Sequence, residues 1–376
     1  MKFLYITNSL AVKAGIERTL TDKANYLAKS GHEVTIVTYQ QGDHPLSFNL
    51  HPSIRHYDIC CKAFLLYQFS FLERIIETIK LKRKFRRKWI NLVNRISPDI
   101  VVTTTNSAEF MSEILAVQKD VPVIIESHIA FTAQAECTTI LKRIRWQYRL
   151  YLYRKCNLFI ALTEGDAACW RKYIPRVCKV DNPVTNFVEN PFSEKREVGR
   201  IISVGRMNNT QKRFDRLIDA FSSIANKYPL WHVDIYGEGI LQESLEKQIK
   251  DLGLIGRVIV HPSTSNIYAE YLQSELFVLS SDYEGFGLVI VEAMSCGVPV
   301  ISTNCPFGPS EIIEEGKTGL LSKMEVNDLS QKIEWMITHP NERKEIGRRG
   351  HQAAKHYRLD VIMKEWINTY NKVLIS

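Results

Sequence analysis

The sequence predicts an α/β protein with two doubly wound domains, each built around a parallel β-sheet. Short apolar runs alternate with segments of helical spacing along most of the chain, which is typical of a parallel sheet with helices on both faces. The chain has 376 residues, and a single core rarely grows beyond about 250–300 residues. A polar stretch that carries prolines and asparagines, residues 181–199, interrupts the alternation as a linker does. We therefore expect two domains, over residues 1–180 and 181–358, followed by a helix over residues 359–376.

Five apolar runs predict the strands of the first domain. The first run, KFLYIT, begins at Lys2 and predicts a strand rather than the long apolar region of a signal peptide. The segment after it has helical spacing and ends at Gly31, which is a suitable C-cap. The other four runs are EVTIVTY, DIVVTTT, VPVIIESH and NLFIAL.

A second series of apolar runs begins after the linker stretch. These runs are RIISVGR, WHVDIYG, RVIVHP, LFVLSS and VPVIST. Doubly wound sheets bind ligands beside the carboxyl ends of their strands, so we expect the site residues where these strands end. No apolar run reaches the ~20 residues that span a bilayer.

Cysteine usage and charge restrict the possible functions. The eight cysteines are scattered without a Cys-x-x-Cys pair, which argues against a zinc site or a disulfide framework and favours the reducing cytoplasm. Residues 1–180 hold 27 Lys and Arg against 15 Asp and Glu, whereas residues 181–376 hold 22 against 26. This asymmetry indicates that the first domain faces a polyanion or an acidic membrane.

Two segments of the first domain concentrate the positive charge. Residues 79–96 contain eight Lys and Arg, residues 141–155 contain six, and neither segment contains an acidic residue. Both are rich in aromatic residues, and a basic amphipathic helix is typical of a contact with an anionic membrane. An ordinary solvated helix face is the alternative. Nucleic acid is a further candidate partner, but no nucleic-acid-binding motif accompanies the charge, so we expect no nucleic acid to bind.

Two predicted strand ends carry groups suited to a phosphate. Gly15 stands where the first strand leads into a helix, and glycine lets backbone amides approach an anion there. A plain turn is the alternative. Arg206 follows the strand RIISV, and Lys212 precedes an amphipathic helix. Two converging cations can neutralise a diphosphate without a metal, although solvated surface charge gives the same pattern.

The stretch SDYEGFGLVIVEAMSCGVPVIST, residues 281–303, places two carboxylates around a glycine turn after a buried run. Glu284 lies in the loop, and a helix that begins near Leu288 puts Glu292 one turn in, so both can face one site. Ionised carboxylates only accept hydrogen bonds, which suits sugar hydroxyls. The amides of residues 286–288 suit an anion at the helix start. The alternative is a helix with a surface glutamate.

This stretch resembles the E-x7-E motif of retaining glycosyltransferases with the GT-B fold, in carbohydrate-active family four. EGFGLVIVEAMSCGVPVIST is similar to the family signature along its whole length, and VGRMNNTQKRFDRLIDAF resembles the donor segment. VDIYGEGILQESL resembles the next strand–loop–helix. The resemblance covers most of the chain and is strongest over residues 200–320. It implies two Rossmann-like domains that face each other across a cleft, with the helix over 359–376 packed back on the N-terminal, acceptor-binding domain.

The resemblance implies a role for each matching residue of the second domain. Arg206 and Lys212 hold the donor diphosphate and stabilise the leaving group. Glu292 accepts hydrogen bonds from the ribose, and Glu284 contacts the transferred sugar. The backbone amides that reach sugar and phosphate oxygens are those of Gly285, Phe286, Gly287 and Leu288.

In the first domain the resemblance points to two residues. His128, in the run IIESHIA, matches a histidine that the family places near the reacting sugar, although a lone histidine is often structural. Gly15 falls where the family has a glycine pair, and here the pair is Ala14-Gly15, whose extra methyl group lies where the backbone would approach a phosphate.

The expected activity is transfer of a sugar from a nucleotide-sugar, with UDP as the family's usual nucleotide, to a glycan acceptor. The basic first domain favours a lipid-linked acceptor and a location at the inner face of the cytoplasmic membrane, in polysaccharide (including lipopolysaccharide) or glycan-precursor biosynthesis. We expect retention by front-face attack. Because Arg206 and Lys212 supply positive charge and no Asp-x-Asp pair has a metal-binding context, we expect neither a metal nor a cofactor. The alternatives are a transferase of the same fold with a soluble acceptor and a non-catalytic carbohydrate-binding protein.

Overall fold

A computed structural model of the protein describes residues 1–12, 14–105, 109–135, 138–193 and 196–375. The chain divides into two compact units. The first unit comprises Met1–Asp181 and Ile362–Ser376, and the second comprises Asn182–Val361. The end of the chain therefore belongs to the first unit, which is discontinuous in sequence.

Strands and helices alternate in both units. The strands are β1 (Lys2–Thr7), β2 (Glu33–Thr38), β3 (Arg55–Asp58), β4 (Ile100–Thr104), β5 (Val123–Ser127), β6 (Leu158–Ala161), β7 (Val177–Lys179), β8 (Arg200–Val204), β9 (His232–Tyr236), β10 (Val258–His261), β11 (Leu276–Leu279), β12 (Val300–Thr303) and β13 (Leu320–Ser322). The α-helices are α1 (Gly15–Lys29), α2 (Phe71–Ile96), α3 (Met111–Ile114), α4 (Phe131–Gln134), α5 (Ile140–Tyr153), α6 (Glu164–Arg171), α7 (Phe214–Ser222), α8 (Gln242–Asp251), α9 (Ile267–Gln273), α10 (Leu288–Ser295), α11 (Pro309–Ile312), α12 (Val326–Thr338), α13 (Pro340–Ala354) and α14 (Leu359–Ile375). Short 3₁₀ segments are Ala63–Gln68, Leu115–Val117, Thr210–Lys212 and Lys355–Tyr357.

The sheet of the first unit is parallel, and its described strands run in the order β3-β2-β1-β4-β5-β6-β7. Ile6 of β1 shares one core with Trp89 of α2 and Trp146 of α5. Tyr5 points to the opposite face, where its hydroxyl lies 3.1 Å from the hydroxyl of Tyr370 in α14. Successive side chains of a strand alternate between faces, so α2 and α5 cover one face and α14 the other.

The sheet of the second unit is also parallel, with its described strands in the order β10-β9-β8-β11-β12-β13. The strand order reverses beside β8, which has β9 on one side and β11 on the other. The loops that follow β8 and β11 therefore leave the same edge of the sheet next to each other. Such a reversal is where doubly wound sheets bind ligands, and the two sheets confirm the predicted pair of Rossmann-like domains.

Three strands of the described structure are not among the predicted runs, namely β3, β7 and β13. All three lie at sheet edges, and β3 and β7 contain no fully buried residue. An interior strand of a parallel sheet is buried on both faces and gives a continuous apolar run, whereas an edge strand does not. The sequence pattern therefore identifies the interior of each sheet and the edge strand β10, but not the other three edge strands.

The cysteines of the described ranges are free thiols, and Cys137 lies outside those ranges. Burial raises the pKa of Cys156 and of Cys296 to about 12. A thiol with such a pKa holds its proton at neutral pH and is a poor nucleophile. These two cysteines therefore act as small apolar side chains of the two cores.

Candidate functional site

The loop between β11 and α10 carries the two predicted carboxylates. Glu284 lies in the loop, and α10 begins at Leu288, so Glu292 lies one turn into the helix as the sequence predicts. Both residues are buried, with 6% of Glu284 and 4% of Glu292 exposed. Burial of two carboxylates requires compensating donors, and the structure identifies them.

Lys212 is the main partner of Glu284. Its ammonium lies 2.7 Å from Oε1 of Glu284, and the hydroxyl of Ser281 donates to the same oxygen at 2.6 Å. The two side chains are largely buried, with 15% of Lys212 and 8% of Glu284 exposed. The structure thus brings together two predicted residues that are 72 positions apart in sequence.

Backbone and side-chain hydrogen bonds fasten the loop after β8 to the loop after β11. The amide of Asp282 donates to the carbonyl of Gln211 at 2.9 Å, and the Gln211 side chain donates to the carbonyl of Tyr283 at 2.9 Å. The hydroxyl of Ser280 donates to the carbonyl of Lys212 at 2.8 Å. The position of Lys212 relative to Glu284 is therefore fixed by the backbone and not only by the ion pair.

Two arginines that the sequence analysis missed stabilise this junction. Arg213 has a left-handed backbone with φ 47°, and its guanidinium contacts both Asp215 and Asp282. The hydrogen bond to Asp215 raises the pKa of Arg213 above its ordinary value. Arg216 donates to Asp282 at 2.6 Å and to the carbonyl of Ser280 at 2.7 Å. The run QKRFDR reads in sequence as a basic segment, and its partner Asp282 lies 66 positions after Arg216.

A glycine that the sequence analysis did not single out makes room for the lysine. A Cβ atom on Gly205 would lie 2.9 Å from Cε and 3.0 Å from Cδ of Lys212. The side chain of Lys212 therefore crosses the backbone at Gly205 on its way to Glu284. Gly237, after β9, leaves room for the backbone of Gly205, because a Cβ atom on Gly237 would lie 1.9 Å from the carbonyl oxygen of Gly205. Glycines directly after strands are the sequence signal for this close approach.

The start of α10 presents backbone donors beside the carboxylates. Gly287 precedes the helix with φ 94°, a conformation that favours glycine. Within the described part of the chain, four backbone amides of this loop donate to no hydrogen-bond acceptor. They are the amides of the predicted residues Gly285, Phe286, Gly287 and Leu288. Unpaired amides at a helix N-terminus form a site for an anion.

Glu292 and Arg206 are placed differently from Lys212 and Glu284. Oε2 of Glu292 lies 3.4 Å from the hydroxyl of Tyr271. Arg206 follows β8 and is exposed, and across the described ranges it has no hydrogen-bond or ion-pair partner. The guanidinium of Arg206 is therefore free to move toward a ligand, whereas Lys212 is already held.

In the first unit, Gly15 is the first residue of α1 and is exposed. Ala14 before it has an extended backbone, with φ −132° and ψ 168°. A Cβ atom on Gly15 would have no atom within 4 Å, and the backbone of Gly15 is not left-handed. Neither packing nor backbone conformation in the described structure therefore requires a glycine at this position.

His128 follows β5 and lies in a buried polar network. Its Nε2 is 3.0 Å from Oε2 of Glu126, and only 3% of its side chain is exposed. Oε1 of Glu126 accepts a hydrogen bond from Lys23 at 2.6 Å and from the hydroxyl of Tyr370 at 3.1 Å. The ammonium of Lys23 also lies 3.3 Å from the ring centroid of Trp366. His128 is therefore held by Glu126, which Lys23 of α1 and Tyr370 of α14 hold in turn.

The charges in this network shift the pKa of Glu126. Burial alone would raise the pKa of this carboxyl, but the ammonium of Lys23 and the hydrogen bond from His128 lower it to about 2. Burial lowers the pKa of Lys23, and Glu126 offsets part of that effect. The pair is therefore an ionised, buried salt bridge. The sequence analysis missed Glu126, although an acidic residue inside the apolar run VPVIIES was a signal for it.

Among the described residues, no group of three His, Cys, Asp or Glu side chains is arranged to hold a metal ion. None of the helices in those same ranges combines the length and the apolarity that crossing a membrane requires.

Two family models match the chain, one over each half. The model described as Glycosyltransferase Family 4 matches residues 14–184, and the model described as Glycosyl transferases group 1 matches residues 186–353. An uncharacterised glycosyltransferase of Haemophilus influenzae is 24% identical over 368 residues, which cover 97% of this chain and 98% of the relative.

A named relative and a solved structure extend the comparison. A Campylobacter jejuni enzyme, named GalNAc-alpha-(1->4)-GalNAc-alpha-(1->3)-diNAcBac-PP-undecaprenol alpha-1,4-N-acetyl-D-galactosaminyltransferase, is 24% identical over 384 residues, which cover 99% of both chains. A mutant of Staphylococcus aureus TarM, solved with fondaparinux, alpha-GlcNAc-glycerol and UDP, superposes with a TM-score of 0.81 at 16% identity. That match covers 98% of this chain and 99% of TarM. The protein is therefore a glycosyltransferase with the GT-B fold, whose first half matches the Family 4 model and whose second half matches the group 1 model.

Proposed function

We propose that this glycosyltransferase transfers a hexosyl group from a UDP-sugar to a lipid-linked glycan with retention of anomeric configuration. The contact between Lys212 and Glu284 is the observation that carries this proposal. It supports the proposal because a cation suited to a diphosphate lies beside a carboxylate suited to sugar hydroxyls, at the edge of the sheet where the strand order reverses. The UDP in the TarM structure supports the choice of nucleotide.

The second unit offers one group for each part of such a donor. The free amides of residues 285–288 suit phosphate oxygens, and Arg206 adds a mobile positive charge. Lys212 has three N–H donors, so it can keep its contact with Glu284 and still donate to a phosphate. Glu292 would accept from the ribose hydroxyls. Glu284 has acceptor positions left for a sugar hydroxyl because Lys212 and Ser281 share one of its two oxygens.

The proposed reaction breaks the bond between the anomeric carbon and the diphosphate oxygen. The acceptor hydroxyl attacks the same face of the sugar, forms the new glycosidic bond and passes its proton to the leaving diphosphate. Arg206 and Lys212 stabilise the negative charge that develops on the leaving group, as preorganised donors do. We propose that these cations make a metal ion unnecessary and that no cofactor takes part.

The charge of the first unit supports the proposed acceptor and location. Its excess of Lys and Arg lies largely in α2 and α5, which contain most of the basic segments 79–96 and 141–155. We propose that these helices attract the anionic inner face of the cytoplasmic membrane, where each Lys or Arg contributes about 1 kcal/mol. The name of the C. jejuni relative gives an undecaprenol-linked acceptor, which supports a lipid-linked acceptor here and a role in polysaccharide or glycan-precursor biosynthesis.

Nucleotide-sugars should first be screened for protection of the protein against thermal unfolding, because a ligand that binds only the folded state raises the apparent stability. The protecting donor is then supplied with lipid-linked and soluble glycans, and the anomeric configuration of the product is read by NMR. A product with inverted configuration would refute retention. Transfer to soluble acceptors alone would favour the soluble-acceptor alternative. Protection without transfer or donor hydrolysis would favour a carbohydrate-binding protein.

A further inference from the structure

The first half of α2 contributes no fully buried residue to the core of the first unit, although Leu81 packs against it. The helix has 26 residues and its buried residues are Phe85, Trp89 and Val93, all in the second half. None of the residues 71–84 is buried. At about 1.5 Å per residue, this unburied part is roughly 20 Å long.

This half-helix nevertheless exposes a row of large apolar side chains. With 3.6 residues per turn, all five of them fall within one face of the helix. The acidic residues Glu73 and Glu77 fall on the opposite face. The five exposed side chains are Phe71 (75% exposed), Leu72 (72%), Ile75 (45%), Ile76 (54%) and Ile79 (46%), and the preceding 3₁₀ segment adds Phe64 (55%) and Tyr67 (71%).

Cations continue the same face further along α2. Arg83, Arg86 and Arg87 are exposed, and each stands eleven residues after one of the apolar residues Leu72, Ile75 and Ile76. Eleven residues are close to three turns, or about 16 Å. Each arginine therefore lies on the same side of the helix as its apolar counterpart, three turns further along. An apolar end followed by a basic band matches the order of acyl chains and anionic headgroups in a membrane.

The start of α5 repeats this arrangement on the same side of the sheet. Trp146 of α5 shares a core with Trp89 of α2, so both helices pack on one face. Ile140, Leu141 and Ile144 are exposed by 76%, 69% and 60%. Helices that connect parallel strands run back along the sheet, so the first residues of α2 and α5 lie toward its carboxyl edge. Gly15 and His128 also lie at this edge, because they follow β1 and β5.

We propose that the apolar starts of α2 and α5 enter the interface of an anionic bilayer, while Arg83, Arg86 and Arg87 contact the lipid phosphates. This inference rests on the proposed function. Its consequence is that the carboxyl edge of the first sheet is held at the surface where a lipid-linked acceptor is presented. The inference adds insertion of apolar side chains to the electrostatic attraction that the proposed function already includes. Charge complementarity selects anionic lipid over a second copy of the chain, because two copies would bring these arginines together.

Insertion is tested by placing a tryptophan at the proposed point of entry. The variant Phe71→Trp is mixed with phosphatidylglycerol vesicles whose acyl chains carry bromine, a short-range quencher. Leu230→Trp is the matched control, because Leu230 is 73% exposed but belongs to the second unit. We expect quenching of the added emission in Phe71→Trp and none in Leu230→Trp. Equal emission with brominated and unbrominated lipid in Phe71→Trp would overturn the inference.

A second pair of variants separates insertion from charge. In Leu72→Ser with Ile76→Ser, partitioning onto anionic vesicles should weaken on the order of tenfold per residue, and the binding that wild type keeps in high salt should disappear. In Arg86→Gln with Arg87→Gln, the preference for anionic over neutral vesicles should fall instead. If the serine variant binds vesicles as wild type does, the inference is wrong. The same conclusion follows if the serine substitutions only convert a dimer into a monomer.

The tests also distinguish this inference from the proposed function. The serine variant should retain wild-type donor hydrolysis and transfer to a short water-soluble acceptor, because Leu72 and Ile76 lie outside the candidate site. A wild-type protein that inserts into vesicles but uses no nucleotide-sugar would refute the proposed function and leave the membrane contact in place. An active protein whose Phe71→Trp variant shows no quenching would refute the membrane insertion and leave the proposed function in place.

Discussion

Replacing Glu126 with glutamine removes one charge from the buried network of the first unit while keeping the size of the side chain. The folded pKa of about 2 lies 2.5 below the ordinary value of 4.5. At about 1.36 kcal/mol per pKa unit, this difference corresponds to roughly 3 kcal/mol of stability at pH 7. Removing one partner of a buried ion pair costs about 3–5 kcal/mol. Lys23 can recover part of this loss by releasing its proton, since burial already lowers its pKa.

We therefore expect Glu126→Gln to lower the free energy of unfolding of the first unit by about 3 kcal/mol at pH 7. Urea unfolding followed by tryptophan fluorescence measures this change. The folded pKa of Glu126 lies below its unfolded value. The stabilisation is therefore fully present above pH about 4.5 and is lost as the pH falls toward 2. The difference between wild type and Glu126→Gln should shrink over that interval.

Two further variants show whether the charge or the packing is responsible. Tyr370→Phe removes the hydroxyl that contacts both Glu126 and Tyr5 but leaves the buried ion pair in place, and it should cost about 1–3 kcal/mol. Lys23→Met combined with Glu126→Gln leaves no buried charge and should be more stable than Glu126→Gln alone. A loss below about 1 kcal/mol in Glu126→Gln, or a double variant less stable than the single one, would refute an ionised pair of this strength.

Four changes in the second unit test the donor site. Glu292→Ala should weaken UDP binding on the order of tenfold or more, the effect of losing hydrogen bonds to a charged group, and unchanged affinity in calorimetric titration would contradict the ribose role. Arg206→Ala and Lys212→Ala should each lower turnover on the order of 10²-fold. Arg206→Ala should leave the melting temperature nearly unchanged because Arg206 is exposed, whereas Lys212→Ala should also lower it by leaving Glu284 buried without its cation. Loss of wild-type activity in EDTA would contradict a metal-free site. Gly205→Ala should displace Lys212 and lower turnover more than stability, because the new methyl group meets a flexible side chain. A Gly205→Ala variant with the turnover of wild type would show that the path of Lys212 is unimportant.

The fold was predictable where burial imposes a pattern. Interior strands such as β1, β4 and β11 are buried on both faces and form continuous apolar runs. The edge strand β3 has the sequence RHYD with one exposed and three half-buried residues, so no apolar run distinguishes it. The start of α10 was also predictable, because Gly287 provides a local signal that needs no tertiary contact.

The contacts inside the candidate site depend on strand order, which periodicity does not reveal. Lys212 and Glu284 meet because β8 and β11 are neighbours in the sheet, although β9 and β10 lie between them in sequence. The residue spacing in the sequence predicts only a basic loop and an acidic loop at the ends of two strands. The ion pair between them required the knowledge that the strand order reverses beside β8.

The network around His128 shows the same limit over a longer distance. A glutamate within an apolar strand signals that a buried partner must exist, because an isolated buried carboxylate is too costly. The sequence does not say which residue this partner is. Lys23 lies 103 positions before Glu126, and Tyr370 lies 244 positions after it. Tyr370 reaches Glu126 only because α14 belongs to the first unit. The last helix is therefore joined to the element that holds His128, and shortening the chain before Trp366 should unfold this network rather than remove a dispensable tail.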